Sequence, residues 1–497
     1  MQGTRIRLLI GGIVLAFASS TVQAETLQPD PAWQQGKLDN GFRWQVLTTP
    51  QRPSDRIEVR LMVDAGSLVE NTQQAGYSHL LPRLALVHNA RLDTAQQRSL
   101  WQQSINPDRP QPPAVTSYDF TLYSLSLPNN RPEVLKEAMN WLAATIGDMT
   151  VNEQTVNTAL NADDPIATWP ASPQDPWWRY RLKGSALLGH DPASPVSVPV
   201  DMAKLNEFYK QWYTPDAMTL FVVGNVESRS LAEQINKTFS PLQGKRQTPA
   251  PVPTLSPLPQ QPVNLVNSNL SQDRLSLVWD NPWQPIRDSQ SLLRYWQSDL
   301  AREALFWHVQ RVLSDNKAQK VQVGFDCRVL YQRAQCAINM DANNDSLNSN
   351  LSLVAHEMAN IRDNGLPQEE FDALMAQKTA ELNKLFATYA RTNTDVLMSQ
   401  RLRSQQNAVV DIAPEQYQKL RQKFLSELTL QMMNQELRQQ LSQPLTMMLM
   451  QPQGEAETNV QTLYDSWDKV MKPATEATPA VIDETKPEVS DIPASQN

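Results

Sequence analysis

The same order of elements runs twice along this chain. In the first pass, a strand ending LSLPNN at Asn130 leads into an amphipathic stretch, Glu133–Ile146, with helical spacing of its apolar residues. A short break follows, then a second helix opening at VNEQTVNTAL. In the second pass, AINMDANN, ending at Asn344, leads into Leu347–Arg362, a break at GLP and a helix opening at QEEFDALM. Asn130 and Asn344 stand 214 positions apart, and Glu153 and Glu369 stand 216 apart. Each half then closes with a strand and a helix, TLFVVGNV with Ser230–Phe239 and TMMLMQP with Glu457–Val470. Three anchors at nearly constant offset predict two copies of one α+β fold, each a mainly antiparallel sheet with helices packed on it.

Punctuation between and around the copies sets the expected boundaries. Gln247–Pro262 (QTPAPVPTLSPLPQQP) is too rich in proline for a helix or a central strand and reads as a stiff linker. The copies therefore occupy 25–246 and 263–471, and the acidic, Pro-rich stretch Lys472–Asn497 is expected to be a disordered tail. Residues 1–24 read as a secretory signal: Arg5 and Arg7, then an apolar run from Leu8 to Ala18, then Val22-Gln23-Ala24 with cleavage between Ala24 and Glu25. That run is too short to span a bilayer, and no later stretch is long enough, so the mature chain has no expected membrane span. In a bacterium the destination is the periplasm. Cys327 and Cys336 flank RVLYQRAQ and fall opposite each other on a hairpin turning near Tyr331-Gln332. A disulfide is expected there, the alternative being a pair of inert thiols.

Composition narrows the chemistry. A net charge of −8 argues against a nucleic-acid partner, whose footprint is basic. With 15 Gly, phosphate-cradling loops have little material, and two Cys with five His rule out a Cys-rich zinc module.

The search for a site begins at His79. Ile57–Val63 alternates like a half-buried strand, AGSLVENTQQAG follows as a turn, and a helix is expected from an N-cap at Thr72 to about His88. Ala65-Gly66-Ser67, Glu70, Gly76 and His79 follow that strand. TSYDFTLYSLSLP covers Thr116–Pro128. Further on come Gly189-His190-Asp191-Pro192, Phe208-Tyr209, Tyr213, Pro215, Leu220, Val222-Val223-Gly224 and Val226. This set resembles the insulinase/pitrilysin metallopeptidases, the inverzincins, through most of the first half; the second half matches in element order and in GLPQEEFDAL. The resemblance implies two homologous halves in a clam-like arrangement around an internal chamber.

The resemblance also implies a zinc site, and here the sequence departs from it. In the family, H-x-x-E-H on the first helix supplies two zinc ligands and a general base, and a later Glu is the third ligand. Here the motif reads His79-Leu80-Leu81-Pro82-Arg83. Pro82 stands at the base position and Arg83 at the second ligand; the third falls at Leu160, with Asp163 and Asp164 just beyond. A permanent cation occupies the metal's place, and a proline inside the helix is expected to kink it at a cost of roughly 3 kcal/mol. His79 is the only retained family ligand, so no catalytic residue, no bound metal and no cofactor are expected.

No other histidine offers a replacement set nearby in the sequence, which leaves only distant residues that converge on folding. His88 is half a turn out of phase with His79. His190 lies in a structural loop, His308 on an apolar helix beside Trp307, and His356-Glu357 with Asn360 falls one letter short of H-E-x-x-H. Met432 and Met433, on the second of two helices at Glu415–Glu427 and Leu430–Leu441, are expected as core filler. Two readings follow. One is a secreted, inactive homologue that binds peptides or an active peptidase partner, or serves as a scaffold, with an oligomer open to it. The other is a zinc endopeptidase that cleaves peptides or small proteins through a substituted metal site.

Overall fold

The computed structural model describes residues 24–50, 56–129, 131–171, 174–315 and 321–473. The expected signal up to position 23 and the acidic tail beyond residue 473 lie outside them. The first half contains β1 (Trp33–Lys37), β2 (Arg43–Thr48), β3 (Arg56–Val63), α1 (Tyr77–Val87), α2 (Thr94–Gln103), β4 (Ala114–Thr116), β5 (Thr121–Pro128), α3 (Pro132–Gly147) and α4 (Glu153–Asn161). It continues with β6 (Ala167–Thr168), α5 (Pro176–Arg181), α6 (Met202–Trp212), β7 (Met218–Gly224) and α7 (Ser228–Phe239). The second contains β8 (Val263–Val266), β9 (Asp273–Pro282), α8 (Ser289–Asp315), β10 (Gln322–Leu330), β11 (Arg333–Ala342), α9 (Asn344–Asn364), α10 (Gln368–Asn383) and α11 (Leu385–Arg391). After these come α12 (Thr394–Gln406), α13 (Pro414–Glu427), α14 (Leu430–Leu441), β12 (Thr446–Gln451) and α15 (Val460–Met471).

The duplication is visible in the strand order. The first sheet runs β1-β2-β7-β3-β5-β4-β6 and the second β10-β11-β9-β12-β8. Reversing the second matches β8, β12, β9, β11 and β10 to β2, β7, β3, β5 and β4. The single parallel pair within those five falls at the same place in each, β2 with β7 and β8 with β12. The fold is α+β with two homologous halves.

Alternation along the strands gives each sheet two faces. In the first half, Val59, Leu61, Val63, Leu125, Leu220 and Val222 point to the helix layer, where Leu80, Leu81, Leu84, Trp141, Leu142, Ile235 and Phe239 complete the core. Met62, Leu122, Phe221 and Val223 point the other way, and α12 of the second half lies across them with Leu397, Met398 and Leu402. One apolar face of the first sheet is thus buried only because the second half covers it.

Other contacts lock the halves together. Arg109 pairs with Asp395 at 3.1 Å, and Arg401 stacks on Trp33 while its Nε donates to Gln45 Oε1. The chain's start crosses over: Leu27 enters the second core, and Glu25 O accepts from Ser289 N. The Pro-rich stretch contains no helix or strand. It is more than a spacer, because Leu255 and Leu258 are buried, Leu258 N donates to Asp280 Oδ2, and Thr446 Oγ1 donates to Pro259 O. A proline-rich segment has few backbone donors of its own to satisfy, so it can lie against both halves at little polar cost.

Candidate functional site

The helix carrying His79 starts later than its sequence suggests. Thr72 is exposed in a turn, and α1 begins at Tyr77 after Gly76, whose φ of +84° is left-handed. Side chains are excluded at Gly76, since a Cβ would lie 2.6 Å from Ser194 O. The cap comes from a distance: the Glu70 carboxylate accepts from Gly76 N at 3.2 Å and Ser78 N at 2.7 Å. Those bonds favour the charged form, but burial outweighs them and pushes the Glu70 carboxyl up to about 7. The helix continues through Pro82, which is itself buried, and does not stop at it.

Leu80, Leu81 and Leu84 anchor α1 in the core, which leaves His79 and Arg83, four positions apart, on the side facing the end of α4. His79 Nε2 lies 2.7 Å from Asp164 Oδ2, and Arg83 Nη1 lies 3.8 Å from the same oxygen. Arg83 Nη2 donates to Ala159 O at 2.5 Å and Ala162 O at 3.1 Å. These are carbonyls at the C-terminal end of α4, where a cation also meets the negative end of the helix dipole. Leu160 packs against the first-half core, and Asp163 is exposed. The imidazole and the guanidinium thus converge on one carboxylate oxygen, while His79 Nδ1 is buried with no hydrogen-bond partner among the described residues.

These residues do not fit zinc. A tetrahedral site needs three neutral or anionic donors and an open position. Here one of the implied ligand positions is an alkyl chain and another a guanidinium that already engages the nearby carboxylate. Among the described residues, no group of three His, Cys, Asp or Glu is placed to hold a metal ion.

The remaining histidines are placed as follows. His88 ends α1 and is exposed. His190 Nδ1 meets Ser67 O at 3.2 Å, and Ser67 Oγ donates back to His190 O. His356 Nδ1 bonds Ser352 O within α9. His308 is buried as expected on its apolar helix, but its surroundings are not apolar: Nε2 lies 2.9 Å from Glu357 and Nδ1 2.8 Å from Glu370. Glu357 is therefore turned away from His356 and into a clamp between α8, α9 and α10. Met433 is core, whereas Met432 stays 37 % exposed, a correction to the reading of both as filler.

Cys327 and Cys336 pair across the β10–β11 hairpin as a disulfide, with Cα atoms 4.1 Å apart. Tyr331 and Gln332 make the turn with φ of 45° and 66°. The tip reaches the first half: Tyr331 packs on Tyr118 and Trp169, and its hydroxyl lies 2.9 Å from Ser117 Oγ.

Between the halves lies a cavity of about 1600 Å³. Its walls include Phe120, Leu122 and Trp169 from the first half, and Trp279, Trp283 and Phe325, with both disulfide cysteines, from the second. His79, Arg83 and Asp164 are not among its lining residues. Sequence reading missed Asp164 as the partner of His79, although its position just past Leu160 was a signal. The chamber walls carried none, because they are assembled from both halves.

Comparison with known proteins agrees with this architecture. The family model for insulinase (peptidase family M16) matches residues 45–173, and that for the peptidase M16 inactive domain matches residues 199–378. Protein YhjJ of Salmonella typhi is 63 % identical over the whole of both chains. A solved structure of a predicted insulinase family protease from Yersinia pestis superposes with a TM-score of 0.89 at 64 % identity, covering 94 % of this chain and 100 % of that one. The periplasmic protease PqqL of Escherichia coli superposes with a TM-score of 0.75 at 19 % identity, covering 91 % of this chain and 52 % of that one, a likeness of fold.

Proposed function

Because the chain belongs to the insulinase family, peptidase family M16, we propose that it is a secreted, periplasmic member that has given up zinc binding and peptide hydrolysis and keeps the chamber to hold a peptide or a protein partner. One observation carries the reading. Arg83 occupies a family ligand position and is tied to Ala159 O, Ala162 O and Asp164, so a fixed cation stands where the metal's positive charge would have to sit. The missing base at Pro82 and the partly buried alkyl group of Leu160 support the same conclusion. A periplasmic location is supported by the signal-like residues 1–24, by the disulfide, which suits an oxidising compartment, and by the periplasmic neighbour.

The deciding measurement is metal content. Protein purified from a periplasmic extract without chelators is expected to carry no stoichiometric zinc by mass spectrometry, and His79→Ala is expected to leave the value unchanged. Stoichiometric zinc that disappears in His79→Ala overturns the proposal in favour of a peptidase with substituted ligands. The combined Pro82→Glu, Arg83→His and Leu160→Glu variant is expected to gain zinc, because the replaced side chains, not the scaffold, are what exclude it.

A further inference from the structure

The chamber between the halves has a charge of its own. Five arginines line it, Arg287, Arg294, Arg302, Arg328 and Arg403, and no lysine does, in a chain whose net charge is −8. The acidic groups in the same wall are engaged. Asp411 pairs with Arg401 at 2.9 Å, and Glu436 accepts from Ser298 Oγ at 2.7 Å and Gln440 Nε2 at 3.0 Å. Asp288 accepts from Ser291 N at 2.7 Å at the start of α8. Two of the arginines also have partners, Arg302 on Asp299 and Arg328 on Trp169 and Pro170 O. Arg287, Arg294 and Arg403 are exposed; the charge of Arg294 acts on the neighbouring Asp288, and no ion-pair contact is made by Arg287 or Arg403 among the described residues.

Between these cations the wall is aromatic, with Trp169, Trp279, Trp283, Tyr295 and Phe325. At about 1600 Å³ the space exceeds the roughly 300–1,000 Å³ of small-molecule sites and suits a stretch of polypeptide. Guanidinium groups recognise carboxylates through paired hydrogen bonds, and aromatic walls take up apolar side chains.

We propose that the chamber binds extended peptide segments in which acidic side chains alternate with aromatic or large aliphatic ones, with Arg287, Arg294 and Arg403 receiving the carboxylates. This specificity rests on the reading that the chamber holds polypeptide. The same side-chain types also serve single-stranded nucleic acid; the overall negative charge and the secretory leader favour peptide.

Fluorescence anisotropy with the purified full-length secreted chain tests it. The probes are labelled peptides of the repeats Glu-Leu-Glu-Phe, Gln-Leu-Gln-Phe and Lys-Leu-Lys-Phe, with an oligothymidylate of equal length as competitor. The acidic peptide is expected to bind at least about tenfold more tightly than the other two at low salt, with the advantage shrinking as ionic strength rises. Arg294→Glu combined with Arg403→Glu is expected to abolish that preference while the urea midpoint stays in place, since both side chains are exposed. Equal or tighter binding of the Lys peptide overturns the specificity. So does a preference that survives the double variant, or displacement of the acidic peptide by the oligothymidylate. No binding of any peptide overturns the chamber reading itself, and the two failures are therefore distinct.

Discussion

His79 Nε2 and Asp164 Oδ2 lie 2.7 Å apart, and Arg83 Nη1 lies 3.8 Å from the same oxygen. Where the resemblance implies a zinc site, the side chains of His79 and Arg83 join α1 to Asp164 and to carbonyls at the end of α4. That relationship sets the first prediction.

Arg83→Ala is expected to destabilise the protein. It frees two carbonyls at the end of α4 and leaves Asp164 with His79 and the Ile166 N–H. Hydrogen bonds to a charged donor contribute about 1.5–3 kcal/mol each, and the site is partly open, so a total loss of about 2 kcal/mol is expected. Urea unfolding would measure it. An unchanged midpoint would show that Arg83 does not bind α4 in solution.

Glu70 makes stability depend on pH. Its folded value, about 7, lies above its ordinary 4.5 because burial outweighs the two backbone bonds. Between those values the folded chain holds more protons than the unfolded one, so this group makes stability fall as pH rises from about 4.5 to about 7. Comparing Glu70→Gln with the parent at both ends of that window isolates the effect: the difference in unfolding midpoint between pH 5 and pH 7 shifts toward stability at the higher pH in the variant.

His308 holds α8 between α9 and α10. Its two ring nitrogens each meet a carboxylate, Nε2 that of Glu357 and Nδ1 that of Glu370. His308→Ala leaves Glu357 and Glu370 facing one cavity, with Arg311 engaging only Glu370. The cost is expected to be about 2–3 kcal/mol, below the full price of a broken buried pair because the carboxylates are partly exposed. Tryptophan fluorescence in urea reads it through Trp296 and Trp467, both in the second-half core.

Tyr331 carries the hairpin tip into the first half. Tyr331→Phe is expected to lose only the Ser117 bond, about 1 kcal/mol. Tyr331→Ala also empties the space against Tyr118 and Trp169 and is expected to cost about 3–4 kcal/mol. Equal effects of the two variants would mean that the hydroxyl, not the ring, holds the halves together at this point.

Much of the molecule was legible in the residues, because the signals are local. Strand alternation in Ile57–Val63, helical spacing in Glu133–Ile146 and the turn at Tyr331-Gln332 depend on neighbours a few positions away, and their repetition at constant offset announced the duplicated fold. The departure from the family's motif, at the base position Pro82 and the ligand positions Arg83 and Leu160, was equally plain, since a motif is read position by position. The start of α1 was misplaced because its cap, Glu70, lies outside the helix and acts through a turn that Gly76 alone permits.

What the sequence left open depends on groups that meet only after folding. Asp164 becomes the partner of His79 because the packing of α4 against α1 carries it there across 85 positions. Glu370 and Glu357 close on His308 from two other helices. The chamber exists because one sheet leaves a face uncovered and the other half approaches it. Sequence patterns determined what each half would become; the register and packing between the halves decided what the space enclosed by them presents to a ligand, because long-range contacts are chosen by the fit of whole surfaces and not by the preferences of single segments.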